Sequence, residues 1–274
     1  MMKRALILLI LLPLILLSLL ELSLREESEV EVVVSIPPLK EVVEELSGDD
    51  VRAVVLLPEN ADAHTYEPDF SKMMALSKAK LYIHFGALEF EKEMERKLES
   101  ENILIINASN GIEVDDPHVW ISLKNAEKIV ENVFDALCQL HPEKREIYLR
   151  NKEMYIKNLR KIDEENRRFF SNRSSPAVLV YHPFLSYMAK EYGFEVISVE
   201  KDGKEPSLKD ILELREIIEL KGIDRIIVPV QHHSEDVEML CKELGVSPLF
   251  VNPLDEDYLK TLEEISRALR ECSS

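Results

Sequence analysis

Hydrophobic and polar positions along this chain alternate between two periods. EVEVVVSI (29–36) is a β-branched run closed by Pro37-Pro38, the pattern of a buried strand. PLKEVVEELSG then carries apolar residues at helical spacing and stops at Gly48. VRAVVLL (51–57) predicts a second strand, followed by a loop, NADAHTYEP. DFSKMMALSKAK predicts a helix with Asp69 as its N-cap, LYIHF a strand, ALEFEKEMERKLES a helix and NILIIN a strand. Strand and helix in strict alternation imply a parallel sheet flanked by helices.

From about Lys124 to Phe170 the strand signal disappears. LKNAEKIVENVFDALCQL reads as one amphipathic helix. PEKREIYLRNKEMYIKNLRKIDEENRRFF reads as another, with Pro142 near its start and Ile147, Tyr148, Met154, Tyr155, Leu159 and Ile162 as its apolar stripe. At 1.5 Å per residue it would span ~40 Å, longer than one small domain, so it is expected to be a rod joining two lobes. The alternation then resumes, from the strand PAVLVYH through FEVISVE, IDRIIVPV and SPLFVNPL to a last helix, DYLKTLEEISRALREC. The expected fold class is α/β, with two lobes, each a parallel sheet flanked by helices, joined by one long rigid helix. The boundaries are 1–27 for a leader, 28–140 for the first lobe, 141–172 for the linking helix and 173–274 for the second lobe.

The leader changes the compartment. MMKR is followed by an uncharged apolar run from Ala5 to Leu20, ended by Glu21. That is a signal peptide or a membrane anchor, with the body of the protein outside the cytoplasm, at the cell surface or in the periplasm. No cysteine precedes Cys138, so attachment of lipid at a cysteine just after a signal is excluded. Of the three cysteines, Cys241 and Cys272 would either form a disulfide in that compartment or remain buried thiols. A net charge of −18 with no basic patch excludes nucleic acid as a partner.

In open α/β sheets, ligands bind beyond the carboxyl ends of the strands. Histidines sit there repeatedly. His64 follows strand 51–57, His118 follows NILIIN, His182 ends AVLVY, and His232 and His233 follow IDRIIVPV. His84, inside LYIHF, reads as a core or edge-strand residue, and His141 beside Pro142 as surface or cap. Three imidazoles converging between lobes would hold zinc or another divalent transition metal. Asp115 and Asp116 are placed to orient His118, and Glu67 to orient His64, while Pro68, Pro117 and Pro183 stiffen the loops.

AHTYEP, DPHVWISLKNAEKIVENV, YHPFLSYMAKEYGFEV and KEPSLKDILELREII, in that order, resemble the zinc- and manganese-binding solute receptors of ABC importers, the TroA/ZnuA-like group. The resemblance implies two lobes, a rigid linking helix and a metal site between the lobes, with His64, His118 and His182 as ligands. It implies an extracytoplasmic receptor that carries a divalent ion to a membrane permease with its ATPase, without an organic cofactor, and a monomer. Histidine at the third ligand position favours Zn2+, with Mn2+ or Fe2+ as the alternative.

Two departures stand out. Asn252 occupies the place of an aspartate that ligates metal in manganese-type members, and offers only a neutral carbonyl oxygen. VPVQHHS replaces a segment that usually lacks a histidine pair. The fourth ligand is therefore open among water, Asn252, Asp255, Glu256, His232 and His233. A zinc-dependent hydrolase is the alternative of another class, but it needs a general base beside the metal. There is no H-E-x-x-H, and Glu205 is the nearest candidate, in a segment that is structural in the resembling family. An adhesin role gains nothing from the sequence.

Overall fold

The computed structural model describes residues 31–58, 61–99, 101–173, 176–201 and 206–272. The leader, including the run Ala5 to Leu20, lies outside them, as does Glu205. Among the described residues no helix is long and apolar enough to cross a membrane.

The first lobe contains β1 (Val32–Val34), α1 (Pro37–Ser47), β2 (Ala53–Val55), α2 (Phe70–Lys78), β3 (Leu81–His84), α3 (Glu89–Leu98) and β4 (Leu104–Asn107). Pro37 and Pro38 start α1 where a missing N–H costs nothing, and Gly48 ends it at φ 66°. Asp69 caps α2 by accepting from Lys72 N at 2.9 Å. All pairings in this sheet are parallel, in the order β2-β1-β3-β4.

Two long helices follow, α4 (Leu123–Leu140) and α5 (Arg145–Phe170), the latter preceded by a 3-10 turn at Pro142–Lys144. The second lobe then runs β5 (Ala177–Val180), α6 (Ser186–Tyr192), β6 (Glu195–Ser198), α7 (Leu208–Lys221), β7 (Arg225–Pro229), α8 (Glu235–Leu244) and β8 (Ser247–Val251), and α9 (Tyr258–Cys272) closes the chain. Its sheet is again parallel, in the order β6-β5-β7-β8. The two sheets therefore share one topology.

The lobes are not independent bodies. One continuous apolar core contains Val34 and Ile83 of the first sheet, Leu159 of α5, Val180 and Ile227 of the second sheet, and Tyr258 and Leu262 of α9. Asn166 of α5 donates to Ser266 Oγ of α9 at 2.7 Å and accepts from Arg270 at 2.7 Å, which satisfies a fully buried amide. A smaller core under α7 and α8 includes Leu214, Ile218 and Cys241.

The structure decides one open alternative and corrects one expectation. Cys138, Cys241 and Cys272 are all free thiols. The buried stripe of α5 runs Tyr148, Tyr155, Ile156, Leu159, Ile162, Asn166 and Phe170, whereas Ile147 is 41% and Met154 66% exposed. Each precedes a buried tyrosine by one residue, a turn of about 100° that carries it off the packed face.

Leu159→Ala is expected to cost about 3 kcal/mol, a fall in Tm of about 5–10 °C by differential scanning calorimetry. Met154→Ala is expected to change stability by less than about 0.5 kcal/mol. Equal losses would contradict the assignment of the buried face.

Candidate metal centre

The histidine loops are built locally before they meet. In Asp62-Ala63-His64 the Asp62 carboxylate accepts from His64 N at 2.9 Å and from Thr65 Oγ1 at 3.2 Å. In Asp116-Pro117-His118 the Asp116 carboxylate accepts from His118 N at 2.8 Å. Both are D-x-H turns in which the aspartate fixes the backbone of the histidine two residues on. Tyr66 anchors the first loop by donating to Leu56 O at 2.7 Å, and its ring packs edge-on to Phe90.

His182 is positioned by strand register. β5 and β6 pair Ala177 with Glu195 and Val180 with Ser198. The pairing continues past the strands through Val199 N to Val180 O and Glu200 N to Tyr181 O. His182 and Glu200, each two residues beyond its strand, are thereby brought side by side, and His182 Nδ1 lies 2.5 Å from Glu200 Oε2.

The loop that carries His118 leaves the first lobe but is gripped by the second. Ser186 donates to Asp116 Oδ2 at 2.5 Å, and Tyr187 donates to Asp116 O at 2.9 Å. Lys190 pairs with Asp115, and Ser122 donates to Glu191. From the other side, Trp120 Nε1 donates to Pro253 O at 2.8 Å and Tyr258 donates to Trp120 O at 2.5 Å.

These constraints bring three imidazoles together. His118 Nε2 is 3.2 Å from His64 Nε2 and 3.2 Å from His182 Nε2. His118 Nδ1 is 2.9 Å from Asp116 Oδ1, so two of the three rings have their Nδ1 committed to a carboxylate. In the neutral state that Nδ1 carries the proton, and Nε2 presents a lone pair. His118 and His182 therefore face each other lone pair to lone pair, an arrangement that is repulsive until a cation lies between them. For zinc held at 2.0–2.1 Å in a tetrahedron, the ligand–ligand edge is about 3.3 Å.

Electrostatics keep the rings neutral. Loss of solvent around the rings lowers the pKa of His64, His118 and His182, and neighbouring histidines lower it further. Asp116 and Glu200 oppose this for His118 and His182 respectively. Burial pushes the Asp116 carboxyl up, but the hydrogen bond and charge of His118, with the bond from Ser186, outweigh it and hold Asp116 at about 2.

The cavity at this point has a volume of about 30 Å³. That is room for an ion or a water or two and far too small for an organic ligand. Its walls include Trp120, Phe184, Pro229, Pro253 and Leu254, an apolar shell that strengthens charge–ligand attraction inside it. His118 is buried, whereas His64 is exposed and forms the outer side of the site.

A model of the ZnuA family, "Zinc-uptake complex component A periplasmic", matches residues 32–272. The chain belongs to this family. It is 27% identical to a crystal structure of ZnuA over 90% of this chain and 100% of the other, with a TM-score of 0.82. It matches a zinc-bound ZnuA deletion mutant with 27% identity and a TM-score of 0.81, over 90% of this chain and 99% of that one. It is also 24% identical to the zinc-binding protein AdcA of Streptococcus pyogenes over 89% of this chain. The chain spans only 56% of the length of that relative. ZnuA-family proteins are extracytoplasmic metal-binding receptors of ABC uptake systems and not enzymes, so the hydrolase alternative falls.

Of the other residues singled out in the sequence, His232 alone among the fourth-ligand candidates lines the cavity. Asn252 does not line the cavity. Its Oδ1 accepts from Gln231 Nε2 at 2.7 Å and Leu254 N at 3.2 Å, and its Nδ2 donates to Asp255 at 3.2 Å, so it braces the loop that follows β8. Asp255 also accepts from Asp257 N, Glu256 pairs with Lys40, and His233 turns outward to Glu238. His232 does line the cavity, with its ring stacked on His182 at 4.9 Å between centroids. Glu67 is exposed, and Asp62 holds His64 in its place. His84 is buried among apolar residues, its pKa lowered by burial to about 4, and His141 caps α4.

Sequence reasoning missed Glu200 because carboxylates were weighed as ligands only after the last strand. The same rule applied to carboxylates at every strand end would have found it, since Glu200 follows β6 as His182 follows β5.

Glu200→Gln removes the charge that orients His182 while conserving its shape. It is expected to weaken zinc binding about 10- to 100-fold in a competition titration. An unchanged affinity would show that the carboxylate does not support the ring.

Proposed function

We propose that this chain captures Zn2+ outside the cytoplasm through Nε2 of His64, His118 and His182, and delivers it to the membrane permease of an ABC importer. The observation that carries this reading is the lone-pair-to-lone-pair contact of His118 and His182 at 3.2 Å, their Nδ1 atoms held by Asp116 and Glu200, with His64 Nε2 also 3.2 Å from His118 Nε2. A dication turns such a contact into attraction, and three neutral imidazoles favour zinc over the more oxygen-loving Mn2+ or Fe2+. Water would fill the remaining coordination position on the side of the exposed His64. The apolar leader at residues 5–20 would direct export and then either be removed or tether the receptor. The receptor would work as a monomer.

Removing one of three ligands is expected to weaken zinc binding at least about a hundredfold, on the order of 3 kcal/mol. His64→Ala, His118→Ala and His182→Ala test this on residues 28–274, followed through Trp120, whose ring lies 5.5 Å from that of His118. If all three variants bind zinc like the native protein, the assignment fails. Parallel titrations with Mn2+ and Fe2+ distinguish the metals, and a preference for either over Zn2+ would overturn the choice of zinc.

Imidazole binds metal only when deprotonated. Desolvation sets all three pKa values below the usual 6.5, so protons begin to compete only as the pH falls through those lowered values. The dissociation constant is expected to be flat between about pH 7.5 and 7 and to rise steeply below about pH 6. Equal affinity at pH 5 and pH 7.5 would be incompatible with histidine ligation.

A further inference from the structure

A second group of ligand atoms adjoins the first. His182, Glu200 and His232 each present a donor atom within 4.8 Å of the others, and His182 belongs to both groups. His232 reaches this position from the 3-10 turn Val230–His232 that follows β7, the strand next to β5. Its ring lies nearly parallel to that of His182, at 18°, and is tilted against Tyr181 on its other side. Two parallel imidazoles direct their lone pairs within separate planes, so they do not share one ion as they stand. A turn of the His232 ring is needed first.

We propose that His182, Glu200 and His232 form a transfer position for the divalent ion, through which it enters and leaves the three-histidine site. The proposal rests on the reading of that site as a metal trap. Because His182 serves both positions, they describe two stations of one ion. The step is a ligand exchange without change of oxidation state. Glu200 gives up its hydrogen bond to His182 Nδ1 and, with a nitrogen of the turned His232 ring, bonds to the ion while His182 stays attached through Nε2, and the bonds to His64 and His118 then break. Zinc passes through five-coordinate states at little cost, so the ion is never released bare into the cavity. Two imidazoles and one carboxylate make a complete set of protein ligands for zinc with an open position for water or for the next acceptor. Glu200 supplies a negative charge that the three-histidine position lacks, which favours the ion at the moment His64 and His118 let go.

A transfer station makes a kinetic demand that a fixed ligand does not. Kd is the ratio of release to capture rates, so a lost stepping stone slows both together. The test is stopped-flow release of zinc from the loaded protein to an excess of chelator, and capture by the metal-free protein, each followed by Trp120. His232→Asn is expected to slow both at least about tenfold. His232→Gln is the second variant, should the first fold poorly. In a His64→Ala background the ion is expected to depend on the second position, and adding His232→Asn should weaken binding at least about a further tenfold. Native rates in both His232 variants would overturn the proposal. So would a loss of equilibrium affinity from His232→Asn alone as large as that from His64→Ala, which would make His232 a permanent ligand. Failure of the trap itself reads differently, as native zinc affinity in His64→Ala and His118→Ala.

Discussion

The centre of this molecule depends on a repulsion. His118 and His182 have their Nδ1 atoms committed to Asp116 and Glu200, so their Nε2 lone pairs are aimed at one another across 3.2 Å. Left alone, such a pair would swing apart. It is kept together because neither ring is free to move. Register places His182 against Glu200, and Ser186 and Tyr187 hold the Asp116 turn from the opposite lobe. The unfavourable contact is maintained by packing and hydrogen bonding distributed over both lobes, and a dication bound there turns it into attraction. This is preorganisation in the sense used for binding sites generally, with the cost met during folding.

The same arrangement explains a difference among the three histidines. His118 and His182 sit on a shared body, because the loop after β4 is fixed to α6 and to the start of α9 as firmly as to its own sheet. His64 differs. It is exposed, its turn is made by its own aspartate, and the ring contacts the other two histidines without a carboxylate behind it. Two of the rings are thus set by tertiary structure and one by a local turn. A site built in this way remains open to solvent on one side while the other side is dry and rigid.

Much of the architecture was legible because it follows from period alone. β-branched runs, helical stripes and their punctuation by Pro38, Gly48 and Asp69 located the elements, and the loss of strand signal after Lys124 located the linking helix. The matching strand orders of the two lobes were not legible, since order is set by long-range pairing that no local pattern encodes. Ile147 and Met154 were misplaced because a hydrophobic residue next to a packed face looks like part of it until the face is seen. The histidines were legible because their loops follow strands, where parallel sheets gather ligands. Asn252 also follows a strand, yet its side chain is turned into hydrogen bonds with Gln231 and Asp255. Position in the chain puts a residue at the right end of the sheet, but the direction of its side chain is decided by neighbours distant in sequence.

Acidity and burial act on the ion at different ranges. The net charge of −18 raises the concentration of cations near the surface, an effect that salt screens beyond about 8 Å. Within the cavity the carboxylates stand one bond removed, on the Nδ1 side of the rings, and the atoms facing the ion are neutral nitrogens. That separation has a chemical consequence. Charge at a distance attracts every cation alike, whereas nitrogen lone pairs at close range discriminate in favour of borderline ions over Ca2+ and Mg2+, which require oxygen. The burial that lowers the imidazole pKa values also removes the proton as a competitor. Desolvation, which by itself disfavours any charge in this cavity, thus excludes the proton and leaves the site to an ion that can bind three nitrogens at once.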